Sequence, residues 1–205
     1  MDERERLRQA TELWQEAYRR YQMEGDLDRA IEVYQRSIDV YPTAEAHTFR
    51  GWAMSFQGRL EEAIDECRRA IEIDPDFGNP YNDIGVYLMQ QGKLDEAIPW
   101  LEKAKQARRY EPRQFPFMNL GRIYLKQGRS WDALREFEGA VRAADARLGL
   151  PAVAPSVHGG RPADRVPGPL HSQARDKRRH DPVQEPPALP RELAQATGPR
   201  PRGGR

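Results

Sequence analysis

The 205-residue sequence has few of the residues from which catalytic, metal and disulfide sites are built. Cys67 is the only cysteine, which excludes an intramolecular disulfide and a cysteine-rich zinc site. His47 is the only one of the four histidines that precedes residue 150. Phosphate-loop, dinucleotide, zinc-protease and nucleophile-elbow motifs are all missing. We therefore expect a protein that is not an enzyme and that needs neither a cofactor nor a metal.

Long apolar runs are missing as well. No stretch approaches the roughly 20 apolar residues of a membrane-spanning helix. The first nine residues, MDERERLRQ, are too charged for a secretory signal. The sequence therefore favours a soluble, cytoplasmic protein with no membrane partner.

Aromatic residues are absent after Phe137, although 18 lie between Trp14 and Phe137. Residues 151–205 hold 11 of the 17 prolines and carry 10 basic and 5 acidic side chains. Such a segment cannot bury enough apolar surface to offset its ordering entropy, so we predict a disordered tail over 150–205. The abundance of Arg, Pro, Gly and His in this segment is also what translation of GC-rich DNA in the wrong reading frame would give. A net charge of +5 spread over 55 residues is a weak footprint, so specific nucleic-acid binding is not expected.

Four similar phrases organise the rest of the chain: EGDLDRAI, QGRLEEAI, QGKLDEAI and QGRSWDAL. Their alanines, Ala30, Ala63, Ala97 and Ala133, are 33, 34 and 36 residues apart. A period of this length is typical of stacked repeats. Within each period, apolar residues at helical spacing stop at a glycine and then resume, which predicts a helix, a tight turn and a second helix.

The repeats resemble those of the tetratricopeptide repeat (TPR) family. The resemblance implies an all-α fold, a right-handed α-solenoid of four helix-turn-helix repeats over about 9–42, 43–76, 77–112 and 113–148, within a domain at 1–149. The matching residues of the first repeat are Trp14, Tyr21, Gly25, Ala30, Tyr34 and Pro42, and those of the second are Gly51, Gly58, Ala63, Ala70 and Pro75. Those of the third are Tyr81, Gly85, Gly92, Ala97 and Ala104. Those of the fourth are Phe117, Leu120, Gly121, Tyr124, Gly128, Ala133, Phe137 and Ala140.

Two departures from the family pattern stand out. Tyr18 occupies a position that is usually small, and Arg50 replaces a usual leucine. Pro112 follows Pro75 by 37 residues, which predicts a longer second helix in the third repeat. His47 and Cys67 fall at packing positions, so we interpret both as core residues.

In this family the concave surface is lined by the first helix of each repeat. The resemblance therefore suggests a partner-binding groove with Phe49, Trp52 and Phe56 as an aromatic stripe on one helical face. Trp52 is the expected anchor for a bound peptide. An alternative is that part of this stripe packs against the first helices of neighbouring repeats. The candidate groove residues are Arg19, Thr48, Phe49, Trp52, Phe56, Asn82, Asp83, Asn119 and Arg122.

These patterns favour a non-catalytic scaffold or adaptor that binds another protein or a peptide. Two alternatives remain open. The first is a homo-oligomer formed through the fourth repeat, because GLPAVAPSV at 149–157 cannot form the polar final helix that usually covers such an array. The second is a regulatory subunit of an enzyme or nucleic-acid complex. The basic segment KAKQARRYEPR, at 103–113, is more typical of a helix end than of a nucleic-acid contact.

Overall fold

The computed structural model describes residues 1–148, and the predicted tail lies outside the described residues. The described chain is helical, with no strand longer than an isolated bridge. A π-helical turn, Ala17–Gln22, continues the first helix. The α-helices are α1 (Glu3–Glu16), α2 (Leu27–Val40), α3 (Ala44–Phe56), α4 (Leu60–Ile73), α5 (Asn79–Gln90), α6 (Leu94–Gln106), α7 (Gln114–Lys126) and α8 (Ser130–Leu148).

The helices pack as four consecutive pairs, α1 with α2 through to α7 with α8. Each second helix also packs against the first helix of the next pair, and successive first helices contact one another. The first helices therefore form one continuous layer of a right-handed solenoid, which confirms the predicted fold. Over residues 1–148, no helix is both long and apolar enough to cross a membrane.

A glycine with a left-handed backbone separates the two helices of every pair. Gly25, Gly58, Gly92 and Gly128 have φ angles of +86°, +77°, +78° and +73°. This conformation is open to glycine at little cost and disfavours side chains with a Cβ. The repeated glycine in the sequence therefore marks each turn, as predicted.

Small residues allow the two helices of a pair to approach closely. The four aligned alanines, Ala30, Ala63, Ala97 and Ala133, are all fully buried. A Cβ added to Gly85 would lie 2.5 Å from Cδ2 of Leu101 on α6, and one added to Gly121 would lie 2.5 Å from Cε1 of Phe137 on α8. Helix spacing is thus set by the absence of side-chain volume at these positions.

The third repeat differs from the sequence prediction. Its second helix, α6, has 13 residues and ends at Gln106, so it is not longer than its neighbours. The extra residues form the loop 107–113 instead. Arg109 in this loop lies over the ring of Phe77 and pairs with Asp74 at 2.6 Å and with Glu45 at 2.7 Å. The basic segment at 103–113 thus has a structural role.

A buried charge cluster explains both His47 and the unusual Arg50. Glu66 on α4 is almost completely buried. Its carboxylate lies 2.8 Å from Nδ1 of His47, 3.1 Å from Nη1 of Arg50 and 2.6 Å from Nη1 of Arg69. Burial alone raises the pKa of Glu66, but the hydrogen bond to His47 and the positive charge of Arg50 outweigh it and leave the pKa below its usual value.

Candidate partner-binding groove

The aromatic stripe on α3 is mostly covered by residues of the first repeat. Phe49 stacks on Trp14 with ring centroids 5.3 Å apart and lies 5.2 Å from the ring of Tyr18. Trp52 also lies near Tyr18, with ring centroids 6.2 Å apart, and its ring is 6.3 Å from that of Phe49. Both Phe49 and Trp52 are buried, at 5% and 8% exposure. Phe49 therefore packs against the first helix of the neighbouring repeat, which is the alternative that the sequence raised.

Tyr18 reaches the stripe because of the π-helical turn. The backbone N–H of Met23 donates to the carbonyl of Tyr18, five residues earlier. Because a π turn holds one more residue than an α turn, the residues before it are displaced by one position in the repeat. Fully buried Ala17 then takes the small-residue position that the repeat alignment gives to Tyr18. The alignment alone could not reveal this displacement.

Phe56 is the exposed end of the stripe. Its ring lies 5.2 Å from that of Trp52, and 49% of the residue is exposed. Thr48, also on α3, offers no free hydroxyl to a partner, because its hydroxyl donates to the backbone carbonyl of Ala44 at 2.7 Å. Of the aromatic groove residues, Phe56 offers the most surface to a partner.

A chain of polar side chains connects the third and fourth repeats. Nδ2 of Asn119 donates to Oδ1 of Asn82 at 3.0 Å, and both residues are buried. Nη1 of Arg122 lies 3.5 Å from Oδ1 of Asn119, and Nδ2 of Asn82 lies 3.4 Å from Oδ1 of Asp83. These four predicted groove residues are therefore brought together, and only Arg122 is exposed.

Asp83 is the last residue in this series of polar side chains, and its carboxyl group is not fully hydrogen-bonded. Its Oδ2 is enclosed and has no hydrogen-bond partner, and the enclosed hydroxyl of Tyr87 on the same helix also has none. Burial raises the pKa of Asp83 to about 7, against the opposing effect of the Asn82 hydrogen bond. Because no basic side chain pairs with it among the described residues, the neutral form is favoured at mildly acidic pH.

Basic side chains complete the exposed part of the candidate groove. Arg19, Arg122 and Lys126 belong to the first helices of their repeats, and all three are exposed. No carboxylate within residues 1–148 lies within 4.0 Å of their charged groups.

The nine groove residues predicted from the sequence differ in exposure. Three are exposed: Arg19, Phe56 and Arg122. Five are buried: Thr48, Phe49, Trp52, Asn82 and Asn119. Asp83 is partly buried. Tyr18, which covers the aromatic stripe, was not among the predicted groove residues. Its unusual size at a small-residue position was the signal in the sequence that could have indicated it.

Family models agree with this architecture. Two models described as tetratricopeptide repeat match residues 19–76 and residues 81–109. The matched ranges contain the first three turn glycines and the first three aligned alanines.

The chain is a tetratricopeptide repeat protein.

Relatives of this TPR protein match part of its length. It is 34% identical over 79 residues to the small glutamine-rich tetratricopeptide repeat-containing protein 2 of Mycosarcoma maydis, which is 38% of this chain and 22% of the relative. It is 28% identical over 125 residues to the type IV pilus assembly protein PilF of Pseudomonas aeruginosa, which is 60% of this chain and 49% of the relative. The chain thus spans less than half the length of each.

Solved structures share the fold at low sequence identity. The structure of Pseudomonas aeruginosa pilF superposes with a TM-score of 0.63 at 24% identity, covering 67% of this chain and 62% of that one. A crystal structure of MamA superposes with a TM-score of 0.59 at 21% identity, covering 70% of this chain and 81% of that one. These similarities support the solenoid architecture.

Proposed function

We propose that this TPR protein is a non-catalytic scaffold that binds a segment of another protein along the layer formed by its first helices. The observation that carries the proposal is an exposed aromatic ring, Phe56, held on the buried indole of Trp52. A rigid aromatic group on a packed base is the kind of residue on which binding energy concentrates at interfaces. A peptide with an apolar side chain fits this contact.

Charge further restricts the proposed partner. Arg19, Arg122 and Lys126 are exposed and have no nearby carboxylate among residues 1–148. Unpaired cations at a binding surface favour an acidic partner, mainly through faster association and better discrimination. The proposed ligand is therefore a peptide that combines an apolar anchor with acidic side chains.

Burial assigns different roles to the two neighbouring aromatic residues. Trp52 contacts Tyr18, Phe49 and Phe56, so its removal would disturb the packing of the first repeat against α3. Loss of the exposed Phe56 ring would leave that packing in place. Phe56 is therefore the residue with which to test binding separately from folding.

The test starts with selection of random 12-residue peptides displayed on phage against the immobilised full-length protein. A selected peptide is then titrated by fluorescence anisotropy. We expect Phe56→Ala to weaken binding about tenfold, which corresponds to about 1.4 kcal/mol. Arg122→Ala should weaken binding several-fold and reduce its salt dependence.

Ile73→Ala is the matched control. Ile73 is similarly exposed, at 44% against 49% for Phe56, but it ends a second helix, α4. Binding by this variant should equal that of the wild type. Enrichment of no peptide, or equal effects of Phe56→Ala and Ile73→Ala, would overturn the proposal.

A further inference from the structure

The turn within each helix pair places one exposed side chain in the same position. This residue stands two positions before the turn glycine, and we name the set of four the turn row: Met23, Phe56, Gln90 and Lys126. All four are exposed, and the exposed fractions of the first two are 54% and 49%. The turn row crosses all four first helices, so a partner that lies across these helices meets its members in order.

The backbone of every turn is the same, which makes the turn row regular. At each turn, the residue after the glycine donates its N–H to the carbonyl five residues earlier, at 2.8 to 3.1 Å. The glycine itself donates to the carbonyl three residues earlier at all four turns. Each row residue lies between these acceptors and its glycine. Its backbone therefore occupies an equivalent place in every repeat.

A side-chain hydrogen bond joins each later turn to the preceding repeat. The glutamine after each of the last three row residues donates through Nε2 to a carboxylate on the preceding second helix, at 2.8 to 3.0 Å. The pairs are Gln57 with Asp28, Gln91 with Glu61, and Gln127 with Asp95. Successive first helices also contact one another, so neighbouring row residues are held about 10 Å apart.

Side-chain chemistry changes along the turn row. The first two members are apolar, the third is an uncharged amide and the fourth is a lysine. The positions one helical turn earlier in the last three repeats show the same order, with Trp52, Val86 and Arg122. In the first helix the π-helical turn moves Tyr18 to this position in place of Arg19, and Tyr18 packs near Trp52. One end of the row is therefore apolar and the other is basic.

The basic end of the row has no acidic partner within the described chain. Lys126 and Arg122 have no carboxylate of residues 1–148 within 4.0 Å of their charged groups. The carboxylates next to the turns, Asp28, Glu61 and Asp95, belong to second helices and each accept a glutamine hydrogen bond. An acidic side chain of a partner would supply the missing opposite charge.

The spacing of the row fits an extended partner segment. A polyproline II segment has about three residues per turn and rises about 3.1 Å per residue, so side chains about three positions apart point the same way about 9 Å apart. This distance matches the step of about 10 Å between row residues. An α-helical segment rises about 1.5 Å per residue and would need about 20 residues to cover the row. A short segment can therefore reach every member of the row only when it is extended.

We infer that the partner segment lies across the turn row in an extended conformation, an inference that rests on the proposed function. Two apolar side chains about three residues apart contact Met23 and Phe56. An acidic side chain about six residues beyond the one on Phe56 pairs with Lys126. Met23 and Lys126 thus determine specificity at the two ends of the segment, and Phe56 lies between them as the anchor.

Selection of random 12-residue peptides on phage against immobilised full-length variants tests this order. Peptides enriched on the wild type should carry the apolar pair and the acidic residue at these spacings. On Lys126→Glu, a basic residue should replace the acidic one while the apolar pair is kept. On Met23→Glu, the outer residue of the pair should no longer be apolar while the acidic residue is kept.

Lys103→Glu and Ile73→Glu are the matched controls. Both residues are exposed but lie on second helices, α6 and α4, so these variants should enrich the wild-type pattern. Fluorescence anisotropy then measures one peptide selected on the wild type. Lys126→Glu should weaken its binding about tenfold, because like charges then meet. Exchange of the acidic residue of the peptide for lysine should restore the affinity for that variant.

The outcomes separate this inference from the proposed function. Enrichment of no peptide on any variant would overturn both. Enriched peptides that bind but carry their apolar and acidic residues about seven positions apart, as a helix requires, would overturn the extended arrangement alone. A pattern left unchanged by Lys126→Glu and Met23→Glu, or changed equally by Lys103→Glu and Ile73→Glu, would also overturn this inference and leave the proposed function in place.

Discussion

At the scale of single residues, two carboxyl groups enclosed by the helix packing have opposite effects on stability. Glu66 has three basic neighbours, and its pKa is lowered. Asp83 has an enclosed, unpaired oxygen, and its pKa is raised to about 7. The difference follows from the partners of each carboxylate, since both are largely removed from water.

Glu66→Gln should destabilise the protein by about 1–3 kcal/mol at pH 7, because Arg50 and His47 lose a buried charged partner. The folded-state pKa lies below the unfolded value, so the stabilising contribution is complete above the unfolded pKa and is lost as pH falls through the folded pKa. Urea unfolding at pH 7 and in the acid range measures the difference. A difference between variant and wild type that fails to shrink on acidification would contradict this assignment.

Asp83→Asn should stabilise the protein, and more so at pH 8 than at pH 4. The folded state holds a proton on Asp83 up to about pH 7, whereas the unfolded state releases it near its ordinary pKa of 3.8. The contribution of Asp83 to wild-type stability therefore decreases as the pH rises from 3.8 to about 7, and it is constant above that range. Thermal melts of both proteins across this pH range test the prediction. Asp65→Asn, at an exposed position on α4, is the control and should show no such trend.

At the scale of helices, the contact between the two members of a pair depends on small residues. Ala63 and Ala97 are fully buried where α4 and α6 meet their partner helices. The carbonyl of Ala63 already lies 2.9 Å from the place of a Cβ on Gly51. There is no room for a longer side chain without separation of the helices.

Ala97→Leu should therefore destabilise the array by about 1–3 kcal/mol, the usual consequence of overpacking a core. Ala146→Leu, on the exposed surface of α8, should change stability by less than about 0.5 kcal/mol. Urea melts of both variants make the comparison. Equal shifts would show that the repeat register is wrong.

At the scale of the whole molecule, Arg109 joins the third repeat to both ends of the second. It lies in the loop after α6 and contacts Asp74 after α4 and Glu45 at the start of α3. Its backbone also exchanges hydrogen bonds with residues 76 and 78. Since the stability of a solenoid depends on contacts between adjacent repeats, this loop strengthens the coupling at the centre of the array.

Arg109→Lys should lower stability by about 1 kcal/mol, because lysine keeps the charge but loses the planar fork and the stacking on Phe77. Hydrogen exchange should become faster at residues 74–78 and 107–110. Arg108→Lys is the control, because the Arg108 side chain forms no ion pair with the described residues. Identical exchange in both variants would show that Arg109 does not couple the loops.

The repeat, the helix pairs, the turn glycines and the buried alanines could all be predicted from the amino-acid sequence. These features depend on local spacing, because each repeat places the same residue types at the same points of two short helices. Ala30, Ala63, Ala97 and Ala133 could therefore be aligned and assigned to close contacts from their spacing alone.

Exposure and long-range contacts, in contrast, depend on how the helices pack in three dimensions. Tyr18, in the π-helical turn, packs on both Phe49 and Trp52, and Trp14 also stacks on Phe49, so both residues are buried and Phe56 is left as the accessible ring. The contacts of Glu66 with His47 and Arg50, and those of Arg109 with Asp74 and Glu45, join side chains 16 to 64 residues apart. Such contacts depend on the angle and spacing between whole helices, which no local pattern encodes. The amino-acid sequence alone therefore could not have predicted these contacts.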